Sequence, residues 1–404
     1  MFADRYIEKN VVYPEFIKPV VSPLVTMIIM IPCLNEPEIF STLESLWSCE
    51  PIKSFCEVIV VVNESENSTN TVKNFNQETY NKLVDWKRDN DRKNLILHPI
   101  YARSVNAKHA GAGMARKIGM DEAIRRFNTL NRPEGVIISL DADCLVSANY
   151  LSKIESVFMQ NKLCFAANLN FKHRIDEMAE PKQRIGIQLY EDYLHYFKKA
   201  LDFAGFPDSI YTIGSAFVVR AEAYVKQGGM NRRQAGEDFY FLNKLTKLGK
   251  ITEINDAYVF PSARVSDRVP FGTGAAMTKW MNEDGDLTVT YNFKAFLDLK
   301  ALFDRADTLF RNSADNIFID TMPASIQEYL LELKFSAKLT EINKNSSSLH
   351  SFRKRFFQFF DGFIILRFLN LAHQKYYPRQ NLSDAINQLK EYSSCVVLKK
   401  RYRF

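Results

Sequence analysis

No glycine occurs before Gly111. That absence excludes a P-loop and a Rossmann dinucleotide fingerprint from the N-terminal stretch, because both need glycines where backbone meets phosphate. Cysteine is scarce as well. Cys33, Cys49, Cys56, Cys144, Cys164 and Cys395 form no C-x-x-C pair and have no histidine at zinc-finger spacing, so a structural zinc site is not expected. Most stand beside apolar residues, as buried free thiols do, and they read as reduced, which points to the cytosol. Met1 to Asn10 carries Asp4, Arg5, Glu8 and Lys9 and has no apolar core, unlike a secretory signal. The longest apolar stretch, Leu24 to Leu34, is too short to span a bilayer. Neither sign of charge dominates: 53 Lys plus Arg against 47 Asp plus Glu leaves +6 over 404 residues, too little and too dispersed to argue for nucleic acid. Hydrophobic residues at 46% and charged residues at 25% exclude a disordered chain, a collagen-like chain and a coiled-coil rod.

What is present is an alternation of strands and helices. Val25 to Ile31 is a continuous apolar run ending at Pro32, as expected for a strand buried on both faces. Ile39, Leu43, Leu46 and Trp47 follow at helical spacing. Val58 to Val62, Asn94 to His98 and Gly135 to Leu140 read as further strands, with a small-residue helix over Ala110 to Phe127 and another helix marked by Leu151, Ile154, Val157 and Phe158. This βα order predicts an α/β fold with a mostly parallel sheet flanked by helices. Ligands of such sheets bind at the carboxyl ends of the strands. Beyond these elements, a strand over Leu163 to Phe171, an aromatic-rich helix over Arg184 to Ala200, a strand over Ile210 to Arg220 broken by Gly214, a helix from Glu237 to Leu248 and a short strand around Ile251 are expected. Arg264 to Gly274 reads as a loop. Helical patterns then take over at Phe293 to Phe310, Ser325 to Leu339, Phe352 to His373 and Ser383 to Leu398. These place one domain at 1–285 and a helical C-terminal extension at 286–404.

Four polar clusters fall on the predicted strand ends or helix starts. Asp141-Ala142-Asp143 ends an apolar strand, and paired hard oxygens there suit Mg²⁺ or Mn²⁺ bridging to a diphosphate. Turn-forming aspartates look the same in isolation. Gly236-Glu237-Asp238 opens a helix, where the dipole favours an ionised carboxylate able to act as a general base. An ordinary N-cap reads the same way. Pro32-Cys33-Leu34-Asn35-Glu36 and Val62-Asn63-Glu64-Ser65 are, singly, polar loop chemistry.

Their order is more specific. Ile29-Met30-Ile31-Pro32-Cys33-Leu34-Asn35-Glu36, then Val60-Val61-Val62-Asn63-Glu64-Ser65, Leu140-Asp141-Ala142-Asp143, Gly214-Ser215-Ala216, and Gly228-Gly229 through Glu237-Asp238 resemble glycosyltransferase family 2 with its GT-A fold. The resemblance covers roughly residues 24 to 275. It implies that Pro32, Asn35 and Glu36 surround the nucleoside of a sugar nucleotide, with Asn63 and Glu64 near the base. The family commonly has Asp at the position of Asn63, followed by Asp-Gly-Ser; an amide there can accept from a uracil N–H and also donate. Asp143 would bind Mn²⁺ or Mg²⁺, with Asp141 on the ribose or the metal. Asp238, with Glu237 beside it, would take the proton from the acceptor hydroxyl in an inverting displacement. Arg264 and Arg268, on the following loop, could clamp the pyrophosphate. Lys108 and Arg116 come second, because basic residues on such helices are usually solvated.

The implied activity is a metal-dependent hexosyltransferase using a UDP-sugar first and a GDP-sugar second, with a glycan, lipid-linked or other hydroxyl acceptor. A sugar-phosphate nucleotidyltransferase is the closest rival, although its class carries a glycine-rich basic loop after the first strand and this chain has none. A non-catalytic module binding a glycan or a protein partner is the other. The phenylalanines at 356, 357, 359, 360, 363 and 368 read as a packed helix before a lipid-docking surface. Lys399-Lys400-Arg401-Arg403 reads as a solvated terminus or a weak anchor to anionic lipid. The location expected is therefore cytoplasmic, with peripheral contact to the inner membrane face through the C-terminal region as the variant, and with no nucleic-acid partner.

Overall fold

The computed structural model describes residues 1–233, 236–266, 272–313 and 316–401. In chain order the first elements are α1 (Asp4–Asn10), β1 (Val25–Cys33), α2 (Ile39–Trp47), β2 (Phe55–Ser65), α3 (Asn70–Asn90), β3 (Leu95–Val105), α4 (Ala112–Thr129), β4 (Val136–Ser139), β5 (Leu145–Val146), α5 (Tyr150–Gln160) and β6 (Ala166–Phe171). They continue with α6 (Pro181–Ala204), β7 (Phe217–Arg220), α7 (Ala221–Lys226), α8 (Glu237–Leu245), β8 (Thr252–Phe260) and α9 (Thr273–Met281). Two compact units result: Met1–Ala179 with Thr212–Thr278, and Glu180–Tyr211 with Lys279–Phe404.

The first unit is built on an eight-stranded sheet in the order β3-β2-β1-β4-β7-β6-β8-β5. The β3-β2-β1-β4 half is parallel, and β6 also runs parallel to β8, whereas β7 and β5 pair antiparallel. The fold class is thus the expected α/β one, with a mostly parallel sheet flanked by helices. Met27, Ile29, Ile31 and Cys33 face a core shared with α2 and α5, and Val58, Val60 and Val62 extend it. The opposite face of β1 and β2 meets α4, where Gly119 lies directly against Met30 and Val61. The two-residue period of a strand explains the continuous apolar runs: both faces are covered.

Pro32 does not end β1, which continues to Cys33 with Pro32 opposite Val61. The pairing of β1 with β4 stops at Met30 and Ser139. Pro32 therefore sits where β1 has a neighbour on one side only, and its missing N–H costs no ladder bond.

α4 is buried almost all round, including Arg116, Lys117, Asp121, Glu122 and Arg126. Residues 1–24 supply partners to several of these charges. Tyr6 donates to Asp121 at 2.6 Å, Ile17 N–H donates to Glu122 at 3.0 Å, and Arg126 donates to the Pro19 carbonyl at 3.1 Å. Lys117 completes the Asp121 cluster at 2.8 Å.

The second unit packs α6 with the C-terminal helices around Phe293, Phe296, Phe335, Phe352, Phe356 and Phe368. Phe356, Phe360 and Phe368 are buried in that core, and the packed-helix reading of this segment holds. The helix expected over Ser325 to Leu339 breaks at Lys334, which adopts φ 50°. The one expected over Phe352 to His373 breaks at Phe360; Asp361 then caps a new helix by accepting from the backbone N–H groups of Phe363 and Ile364. Among the described residues no helix is long and apolar enough to cross a membrane.

Candidate active site

The site lies in the first unit, at the carboxyl ends of β1, β2 and β4. The Asp-x-Asp pair sits on a turn closed by the Cys144 N–H donating to the Asp141 carbonyl at 3.2 Å. Ala142 points into the core and its carbonyl accepts from Thr42 of α2 at 2.8 Å. With the middle residue anchored inward, the carboxylates of Asp141 and Asp143 both turn outward and stay about one-third exposed, at 33% and 27%.

Each carboxylate meets an arginine. Asp141 accepts from Arg116, and Asp143 lies 3.8 Å from Arg264. Arg264 also donates to Glu36 and reaches Glu38 at 3.5 Å. Glu38 in turn pairs with Arg174 at 3.2 Å. These acids hold the Arg264 guanidinium charged: burial alone would lower its pKa, and Glu36, Asp143 and Glu38 reverse the sign. Arg268 lies outside the described residues.

α8 delivers the second pair of acids. Gly236 precedes it at φ 69°, a left-handed conformation suited to glycine. Glu237 is buried and turns inward to accept from Arg116. Asp238 is half-buried, and its pKa is pushed up to about 7 by loss of solvent and by the neighbouring Glu237 charge, against the pull of Arg116. The backbone of this loop comes very close to α4. A Cβ at Gly113 would stand 2.3 Å from the Arg233 carbonyl oxygen and 3.0 Å from Glu237.

Arg116 corrects the expectation of a solvated basic residue: it is 4% exposed and donates to Asp141 and Glu237 at once. Burial opposes its charge, but Asp141, Glu237 and Asp238 outweigh that and raise its pKa. Lys108 is exposed, as expected.

On the β1–β2 side, Asn35 adopts φ 47° and donates its N–H to Asn76 of α3 at 2.9 Å. Asn76 donates in turn to the Asn63 carbonyl at 3.2 Å, tying the two strand ends together. Pro32 is half-buried and Glu36 is buried. Glu64 accepts from Tyr101 at 2.8 Å, and burial, together with Glu64, pushes that phenol up to about 12. Asn63 is 1% exposed, and among the described residues its side-chain oxygen and nitrogen have no hydrogen-bond partner. A buried amide with both ends unpaired is costly unless something pairs it. Asn76, Tyr101 and Arg174 were not legible as site residues, because nothing in their local sequence sets them apart.

Among the described residues no three carboxylate, imidazole or thiol groups come together as a protein cage for an ion. Asp141 and Asp143 fit the other mode of Mg²⁺ and Mn²⁺, in which one or two carboxylates share the ion with substrate phosphates.

No family model and no curated protein matches the chain. Solved structures do resemble it, at low identity. One is S. aureus TarS 1-349 in complex with UDP-GlcNAc, with a TM-score of 0.41 and 14% identity over 87% of this chain and 92% of that one. Another is the mannosyltransferase PcManGT from Pyrobaculum calidifontis in complex with GDP-Man and Mn²⁺, at 0.38 and 13%, covering 98% and 86%. A third is glucosyl-3-phosphoglycerate synthase from Mycobacterium tuberculosis with Mg²⁺ and UDP, at 0.32 and 13%, covering 70% and 79%.

Proposed function

We propose that the first unit transfers a sugar from a nucleoside diphosphate donor to a hydroxyl acceptor. The observation that carries this reading is the meeting of the Asp141 turn with the Glu237–Asp238 helix start on one buried arginine. That brings the acids suited to a diphosphate beside an acid suited to proton removal. On this reading Asn63 and Glu64 lie near the base, uracil first and guanine second.

Asp143, with Asp141, would hold Mg²⁺ or Mn²⁺, which when bound would supply positive charge against the diphosphate leaving group. Asp238 takes the proton of the acceptor hydroxyl as its oxygen bonds to the anomeric carbon. The bond from that carbon to the diphosphate oxygen breaks, so configuration inverts. A carboxylate whose pKa lies near neutrality is well matched to that proton transfer. Arg264 exchanges part of its contact with Glu36 and Asp143 for phosphate oxygens of the donor.

A panel of UDP- and GDP-sugars incubated with the protein and Mn²⁺ tests the reading. Metal-dependent release of nucleoside diphosphate is expected. Pyrophosphate released from a nucleoside triphosphate and a sugar 1-phosphate, with no diphosphate released from the panel, would instead assign the site to a nucleotidyltransferase.

A further inference from the structure

We propose that Arg116 is the positioning residue of this site, a buried fork that sets the distance between the diphosphate-binding acids and the base. The inference rests on the glycosyl-transfer reading and adds a residue to it. Its two terminal nitrogens go to different elements: Nη2 donates to Asp141 at the end of β4, and Nη1 donates to Glu237 at the start of α8. Asp238 follows Glu237 directly, so the α8 contact fixes where the proposed base stands. No lysine could replace this geometry. An ammonium is a point charge, whereas a guanidinium presents a planar fork able to hold two carboxylates at a set separation.

The surroundings are shaped to that fork. A Cβ at Gly214 would stand 2.5 Å from Arg116 Nη2 and 2.7 Å from Cζ. Gly214 belongs to the segment leading into β7, so glycine there makes room for the guanidinium. Neighbouring cations are committed elsewhere: Lys117 pairs with Asp121, and Arg264 with Glu36. Three motifs separated in sequence, Asp141-Ala142-Asp143, Gly214-Ser215-Ala216 and Glu237-Asp238, thus converge on one side chain.

Two variants, and a rescue experiment on a third, test this, with water as the acceptor and nucleoside diphosphate release as the readout. Arg116→Lys keeps the charge and loses the fork. Gly214→Ala keeps every charge and displaces the fork. A misplacement of about 1 Å at a reacting group costs about 10²-fold. Both variants are therefore expected to lower kcat by about that factor, with KM for the nucleotide sugar changed by less than about threefold. Adding guanidinium ion to Arg116→Ala is expected to restore part of kcat. If wild-type protein releases diphosphate but Arg116→Lys keeps its kcat, or if KM rises while kcat holds, the positioning role is wrong and the transfer reading stands. If wild type releases none from any donor, both fall. Loss of the thermal unfolding transition in both variants would make Arg116 purely structural and overturn the proposal.

Discussion

At the scale of the residue, Asp238 carries the sharpest expectation. Its carboxyl is pushed up to about 7, and only the ionised form can accept a proton. Transfer should therefore fall by about tenfold per pH unit below that value, giving an acid limb near neutrality in kcat against pH. The same shift acts on stability with a definite sign. The folded chain keeps a proton that the unfolded chain releases at ordinary carboxyl pKa, so this group's contribution falls as pH rises from about 4 towards 7. Asp238→Asn should abolish turnover and leave the thermal transition in place. Asp143→Ala should do the same to metal-dependent turnover. Asp141 and Asp143 could be read from the sequence because they end an apolar run, and Asp238 because it opens a helix after Gly236. Arg116 could not, since its role depends on which way one helix face turns. A hint was available in the small residues around it, Gly111, Ala112, Gly113 and Ala115, which mark a helix that other chain packs against closely.

At the scale of the element, the apolar strands were legible and the polar ones were not. β1, β2 and β4 are covered on both faces, so each reads as an unbroken run. β8 buries only alternate stretches and looked like a short strand around Ile251. α3 buries Asn76, Thr79 and Leu83 and little else, so no apolar stripe announced it. Of the strand expected from Ile210 to Arg220 only Phe217–Arg220 forms, and α9 begins inside the expected loop. α4 shows the reverse error: its charges suggested a solvated face, yet residues 1–24 pair several of them, and Asp141 and Glu237 pair Arg116. Asp121 accepts from Tyr6, Tyr224 and Lys117. Asp121→Ala strands a buried ammonium and should destabilise the protein by about 3–5 kcal/mol, read as a lower urea midpoint. Tyr6→Phe removes one partner and should cost about 1 kcal/mol. Gly113→Val should leave the sheet intact and reduce turnover, because the Arg233 carbonyl and Glu237 must move aside.

At the scale of the whole molecule, the chain forms two compact units, and each is interrupted by the other in sequence. The crossing at Thr278–Lys279 lies close to the change of texture near 285. The earlier crossing, around Glu180 and Thr212, was not legible, because α6 reads like any amphipathic helix and its partners come more than eighty residues later. The second unit is held by aromatic packing, and Phe356→Ala in its centre should cost about 3–5 kcal/mol in unfolding free energy. Cys33, Cys49, Cys56, Cys144 and Cys164 are free thiols, and the acids of the candidate site all belong to the first unit.

The most direct measurement is a calorimetric titration of UDP and of GDP, each with Mn²⁺, into wild-type protein and Asp143→Ala. One nucleotide is expected to bind per chain in the wild type, with affinity at least about tenfold weaker in the variant, a loss of about 1.4 kcal/mol. A wild-type chain that takes up neither nucleotide, or a variant that binds as tightly as its parent, would contradict the assignment of these strand ends to a sugar-nucleotide site.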